Sequence, residues 1–152
     1  MIAVLQRTSR ASVKVDDKTI GKIKSGVLIL LGVKKGDSKK DAEILAQKIS
    51  TFRMFNDDTN KMNLSILDVH GSALVVSQFT LCADTKKGRR PSFVNAEAPV
   101  ISKKLYEYFK TSLIKLGVPV QSGEFGSLMD VDLVNNGPVT FVLDSQQQDK
   151  LL

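Results

Sequence analysis

Three scarcities narrow this sequence before any pattern in it is read. A single cysteine, Cys82, in 152 residues leaves no internal disulfide and no cysteine-based zinc site. A single histidine, His70, is the only imidazole on which a Ser-His-Asp or Cys-His apparatus could be built. No stretch nears the ~18 apolar residues of a membrane span. The longest apolar run, Val27 to Leu31 with Gly32 and Val33 after it, has the length of a buried strand. The opening MIAVLQRTSR lacks the apolar segment of a secretory signal. HExxH, CxxC, GxSxG, Walker A and GxGxxG patterns are all missing. Cys82 follows an apolar strand and reads as a small hydrophobe, and His70 precedes Gly71 in a turn. An enzyme with this sequence works without an imidazole base, a thiolate or a metal, and no cofactor is expected. Length and composition point to a soluble, cytoplasmic protein with one domain over residues 1–152 and no membrane partner.

What is present is an excess of positive charge. Lys and Arg number 22 against 16 Asp and Glu, a formal net charge of +6, which favours polyanionic partners such as nucleic acid. Along the chain, Ala11 to Val15 alternates and Asp16-Asp17-Lys18 turns. Thr19 to Ile23 then resumes the alternation, so the stretch reads as a hairpin. Val27 to Val33 is apolar on both faces and belongs inside a sheet. Ser38, with Asp41 three residues on, caps a helix whose apolar face is Ala42, Leu45, Ile49 and Phe52. Asn56 to Asn60 is a loop, and Ser72 to Leu81 reads as one strand. A second helix starts near Pro99, buries Ile101, Leu105, Tyr108, Phe109, Leu113 and Leu116, and stops at Gly117. Two short strands, Leu128 to Val134 and Val139 to Leu143, flank a turn at Asn135-Asn136-Gly137-Pro138. The order predicts an α+β fold, a mostly antiparallel, barrel-like sheet with two main helices packed on it.

Three segments carry possible chemistry. Ser77-Gln78-Phe79-Thr80 ends an apolar strand, and alternation puts Gln78 and Thr80 on one face, Ser77 and Phe79 on the other. Such a polar pair either lines a pocket or marks a strand running out to solvent. Asn135-Asn136-Gly137-Pro138-Val139-Thr140 holds a Gly-Pro bond, where a cis peptide is accessible; it forms either a rigid backbone wall or an ordinary turn. Lys86-Lys87-Gly88-Arg89-Arg90 sets four cations in five residues, suited to phosphate contact or simply to solvation. Lys34, Lys35, Lys39 and Lys40 form a second, weaker cluster.

On Gln6-Arg7, Ala11-Ser12-Val13, Ser77-Gln78-Phe79-Thr80-Leu81, Arg90-Pro91-Ser92-Phe93 and Asn135-x-Gly-Pro-Val-Thr140, the chain resembles the D-aminoacyl-tRNA deacylases over nearly its whole length. The resemblance implies a homodimer with active sites at the interface. It implies hydrolysis of the ester between a D-amino acid, or misacylated glycine, and the tRNA 3′ end. It assigns Ser77, Gln78, Phe79 and Thr80 to the active-site strand. Gly137 and Pro138 become a cis-peptide filter reaching the partner's pocket, with Val139, Thr140 and Asn135 around it and Arg7 holding it. Amides near Phe79 and Thr80 would then stabilise an oxyanion. The attacking group is Thr80 or a water; no side-chain base is evident for Thr80, which favours the water. Two other readings stay open here: a non-catalytic module that captures tRNA ends, and a structural dimer with incidental charge.

Overall fold

The computed structural model describes residues 1–148; the last four residues of the expected 1–152 unit lie outside the described residues. Its frame is a long first strand, β1 (Ile2–Val15), which turns through Asp16 and Asp17 into β2 (Lys18–Ile23). Both aspartates have positive φ, 48° and 62°. That pair of left-handed residues is what a two-residue hairpin matched to the twist of its strands requires. β3 (Gly26–Gly32) follows and pairs antiparallel with the first half of β1, Ile2 opposite Gly32 and Thr8 opposite Gly26. β2 takes the second half of the same edge, Ala11 opposite Ile23. Since a strand has only two edges, β8 (Asp130–Asp144) must cover the other edge of β1 along its length.

Helix α1 (Lys39–Thr51) begins as its sequence predicts, with the Asp41 carboxylate accepting from the Ser38 N–H at 2.8 Å and from its hydroxyl at 2.9 Å. Beyond it, β4 (Phe55–Asn56) and β5 (Met62–Leu64) form a small hairpin. β6 (Ser72–Ser77) lies parallel to β3, and helix α2 (Pro99–Lys115) returns the chain to β7 (Val120–Ser122), parallel to β6. The sheet is therefore mixed: antiparallel about β1, parallel at β3–β6–β7. It curls until β2 meets β7, where a Cβ on Gly21 would stand 2.8 Å from the Ser122 carbonyl oxygen. Only a residue without a side chain permits that approach.

Two apolar layers result. One lies between the sheet and the helices and holds Leu45 and Ile49 of α1 against Leu105, Phe109 and Leu113 of α2. Phe109 and Leu113 are fully buried, each worth ~1.5–3 kcal/mol. The other fills the curl with Val13, Ile23, Leu28, Leu74 and Val76. No helix of the described residues is long and apolar enough to cross a membrane.

Three expectations need correction. The strand expected over Ser72 to Leu81 ends at Ser77, and Phe79–Cys82 is a 3-10 turn. The Gln78 N–H still reaches the Leu31 carbonyl at 2.8 Å, but β3 ends at Gly32 and offers no ladder beyond it. The stripe of α2 is rotated: Tyr106 is buried, while Ile101 is 46% exposed and Tyr108 half-buried. The two tail strands are one strand of 15 residues, because both halves pair with β1 and the Asn135–Pro138 segment is an irregularity inside that ladder.

Candidate active site

Where β3 and β6 end together, the sheet opens into a cavity of about 700 Å³. Leu31, Val33 and Val76 form its floor, Ser102 and Tyr106 of α2 one wall, and Phe125 to Met129 another. Ser77, Gln78 and Phe79 stand at its edge. An apolar hollow with few convergent polar groups is the usual form of a small-molecule site.

The 3-10 turn creates the polar edge. Alternation along a strand would have set Gln78 and Thr80 on a common face; the turn brings them together instead, Gln78 Nε2 donating to Thr80 Oγ1 at 2.5 Å. Leu81 N–H donates to the Gln78 carbonyl and Ala83 N–H to that of Thr80, which closes the turn. The N–H groups of Phe79 and Thr80 have no acceptor among the described residues, as expected for the first amides of a helical turn. Thr80 is exposed and Ser77 half-buried. Phe79, 59% exposed, meets the Phe93 ring edge-on with centroids 4.8 Å apart.

The titratable groups near the cavity are engaged elsewhere. The Tyr106 hydroxyl donates to the Val75 carbonyl at 2.8 Å, and burial pushes its pKa up to about 12. Glu97 accepts from Ala98 N–H at 2.7 Å and from Gly36 N–H at 3.4 Å. Cys82 is buried with its thiol toward the Val33 carbonyl, and burial raises its pKa, so it stays a thiol. His70 is exposed in the turn before β6, at the end opposite Ser77.

The second motif lies elsewhere on the same chain. Gly137–Pro138 is a cis peptide, and Gly137 has φ +135°. Asn135 brackets the segment, its Oδ1 accepting from Val139 N–H at 3.0 Å and its Nδ2 donating to Thr140 Oγ1 at 2.9 Å. Arg7, only 7% exposed, donates from Nε to the Asn136 carbonyl at 3.0 Å. Its Nη1 donates to the Met54 carbonyl at 2.8 Å and to Asn56 Oδ1 at 3.1 Å. Gly137 and Pro138 do not line the cavity. Gly137 is three strand spacings from Ser77, across β8, β1, β3 and β6, and about four residues farther along, roughly 20 Å in all. Lys86, Lys87, Arg89 and Arg90 are exposed on a loop closed at its base by paired Asp84 and Ser92 and leading to Phe93.

Sequence patterns brought forward Ser77 to Thr80 but missed Tyr106, Phe125 and Met129 as cavity walls, and Asn56 as a partner of Arg7. Nothing local marks them; each depends on how distant elements meet.

A barrel-like mixed sheet backed by two helices, with a cavity at the strand ends, has known counterparts. The sequence model of D-Tyr-tRNA(Tyr) deacylase matches residues 4–144. The D-aminoacyl-tRNA deacylase of Thermosipho africanus is 52% identical over 147 residues, 97% of this chain and 99% of that protein. The one from Geotalea uraniireducens is 54% identical over 145 residues, 95% and 94%. A solved structure described as c-Myc DNA Unwinding Element Binding Protein superposes with a TM-score of 0.89 at 36% identity, covering 95% of this chain and 98% of that one. A probable eukaryotic D-amino acid tRNA deacylase, 18% identical, shares the fold with a TM-score of 0.80. The class is thus a deacylase, a hydrolytic enzyme. The chain belongs to the D-Tyr-tRNA(Tyr) deacylase family.

Proposed function

We propose that this protein hydrolyses the ester joining a D-amino acid to the 3′ end of tRNA, releasing the free amino acid and tRNA. The observation that carries the reading is the 3-10 turn at the rim of the cavity: Gln78 and Phe79 line the apolar hollow, Thr80 stands next to them just outside it, and the Phe79 and Thr80 amides are unpartnered among the described residues. An aminoacyl ester is already activated, so amides aimed at the developing oxyanion supply the main stabilisation needed. Water is the nucleophile, held by the protein and by the 2′-hydroxyl of the terminal adenosine. Its oxygen bonds the ester carbon, the carbonyl oxygen takes the negative charge, and collapse breaks the bond to the 3′-oxygen, which leaves with the water's proton. Thr80 Oγ1 accepts from Gln78, an amide that cannot take a proton from it, which argues against Thr80 as an activated nucleophile.

Selection of one hand comes from main chain at Gly137 and Pro138, which reject an L side chain by steric contact. A D side chain points away from the segment, so many different D side chains are tolerated. Glycine, achiral, also passes, so glycine mischarged on tRNA-Ala is a second substrate. The separation of Gly137 from the cavity within one chain supports a homodimer, each copy lending this segment to its partner. So does the row Val142, Val4, Leu30, Val76, which crosses β8, β1, β3 and β6 in register. Val142, on β8, which pairs only with β1, is 69% exposed, and Val76 at the other end is buried in the cavity floor. A partner over that row buries apolar surface and ends beside the cavity. The basic loop at Lys86, Lys87, Arg89 and Arg90 holds the RNA backbone, and the work is that of a cytoplasmic enzyme acting on translation substrates.

Incubation with D-Tyr-tRNA and L-Tyr-tRNA tests the reading. Loss of the D ester alone is expected. Equal loss of both removes the chiral filter, and binding with release of neither makes the protein an RNA-capturing module.

A further inference from the structure

We infer that Asn56 is a positioning residue for chiral selection, acting through Arg7 on the Asn136–Pro138 segment. The inference rests on the reading of that segment as the excluding wall. Arg7 is buried, yet among the described residues no carboxylate pairs with it. Its charge is met only by neutral oxygens: the carbonyls of Met54 and Asn136 and the side chain of Asn56. Asn56 is the single side chain among them. A guanidinium is a planar fork, so fixing Nη1 at one end orients Nε at the other, where it holds the Asn136 carbonyl. Its Nη2 lies 3.1 Å from where a Cβ of Gly137 would stand, so a shift of the fork reaches the next residue directly.

The mounting of Asn56 is itself rigid. It ends β4 opposite Met62, and the next residue, Asp57, ties the turn. The Asp57 carboxylate accepts from Thr59 N–H at 2.8 Å and hydroxyl at 2.7 Å, from Lys61 N–H at 3.1 Å and from Asn63 Nδ2 at 2.6 Å. The hairpin is anchored on its other side as well, since Phe55 is buried in the core and its partner Leu64 packs against the same cluster. Between that anchor and the tied turn, Asn56 presents its oxygen to Arg7 from a fixed position.

The test compares kcat/KM for D-Tyr-tRNA and L-Tyr-tRNA in the wild-type dimer, Asn56→Ala and Asn56→Asp. Alanine is expected to lower the D-to-L ratio about tenfold, chiefly by raising the L rate. Asn56→Asp, which keeps an acceptor oxygen and adds a charge complementary to Arg7, is expected to restore the ratio. Should alanine loosen the hairpin, Asn56→Gln, which displaces the oxygen by one methylene, must give the same fall. Nitrogen-15 spectra of the Arg7 side chain give a readout apart from activity, with faster Nε–H exchange in Asn56→Ala than in wild type or Asn56→Asp. A selective wild type with an unchanged ratio in Asn56→Ala overturns the inference, as does an equal fall of both rates. A wild type that hydrolyses both hands alike overturns the filter itself, and the two failures are distinguishable.

Discussion

Replacing Lys86, Lys87, Arg89 and Arg90 together by alanine tests the proposal that their loop contacts tRNA. None of the four forms an ion pair among the described residues, so their charges are free for phosphate. The loop's base does not depend on them. Asp84 N–H donates to the Ser92 carbonyl at 2.7 Å, Ser92 N–H returns the bond at 2.9 Å, and Asp84 Oδ1 accepts from Lys86 N–H at 2.9 Å. The variant lowers the formal net charge from +6 by four, to +2, and leaves the loop's backbone bonds in place. Each phosphate contact contributes ~0.7 to the salt slope on a single strand and ~0.9 on a duplex, so four flatten it by about 2.8–3.6. Over a fourfold rise in salt, those contacts account for roughly a 50- to 150-fold loss of wild-type affinity. Fluorescence anisotropy with labelled tRNA across a potassium chloride series gives the slope, and steady-state hydrolysis shows whether the loss falls on KM. A slope equal to wild type refutes the assignment and moves the contact to another basic surface, with Lys35, Lys39 and Lys40 the next to test.

Thr80→Ser and Thr80→Ala should both keep substantial hydrolysis, and no acyl-Thr80 should be trapped on quenching; a trapped species found by mass spectrometry reverses the choice of nucleophile. Gly137→Ala would bring a Cβ within 2.6 Å of Val139 Cγ2 and 3.0 Å of its amide nitrogen at a φ of +135°. It should cost about 1–3 kcal/mol in urea melting and lower the D-to-L ratio. Tyr106→Phe should cost only about 0.5–1.5 kcal/mol, because the Val75 carbonyl it leaves still accepts from Gly123 N–H at 3.0 Å. A urea melt with a loss well above that range would contradict this sharing of the carbonyl. The bonds from Asn63, Thr59 and Lys61 lower the Asp57 pKa to about 2. Its stabilising contribution is therefore complete above the unfolded value of ~3.9 and is lost as pH falls through about 2. A carboxyl-carbon titration with its midpoint near the unfolded value would contradict that bonding.

Much of the architecture can be read from local rules. Ser38 with Asp41, Pro99 and Gly117 mark helix ends because each satisfies or blocks a particular backbone group. Asp16-Asp17 tolerates the left-handed turn, and β3, apolar on both faces, sits in the middle of the sheet. The misses are all tertiary. Apolar alternation continues through Phe79 and Leu81, yet the strand stops because its neighbour stops. Asn, Gly and Pro signal a turn at 135–138, but the partner strand runs straight past, so the signal becomes a kink instead of a reversal. Tyr106 and Tyr108 differ by two steps on one helix, and what covers them is set by distant elements: β6 and Phe125 bury the first, while the second reaches Glu43 at the side of α1. Of the site, the residues of one contiguous turn were legible. The cavity walls and the partners of Arg7 were not, since no spacing in the chain encodes them.

The Asn136–Pro138 segment interrupts β8 with hydrogen-bonded ladder on both sides of it. A loop at the end of a hairpin can swing on its two stems; this one has no stems to swing on. Its ends are pinned at Asn135 and Thr140, and the residues between them have no ladder partner on β1, so the Arg7 bond to the Asn136 carbonyl and the Asn135 bond to Val139 N–H set their position. The segment is thus a short span fixed at both ends and trimmed from below by one guanidinium, so its shape is set by a side chain of the neighbouring strand.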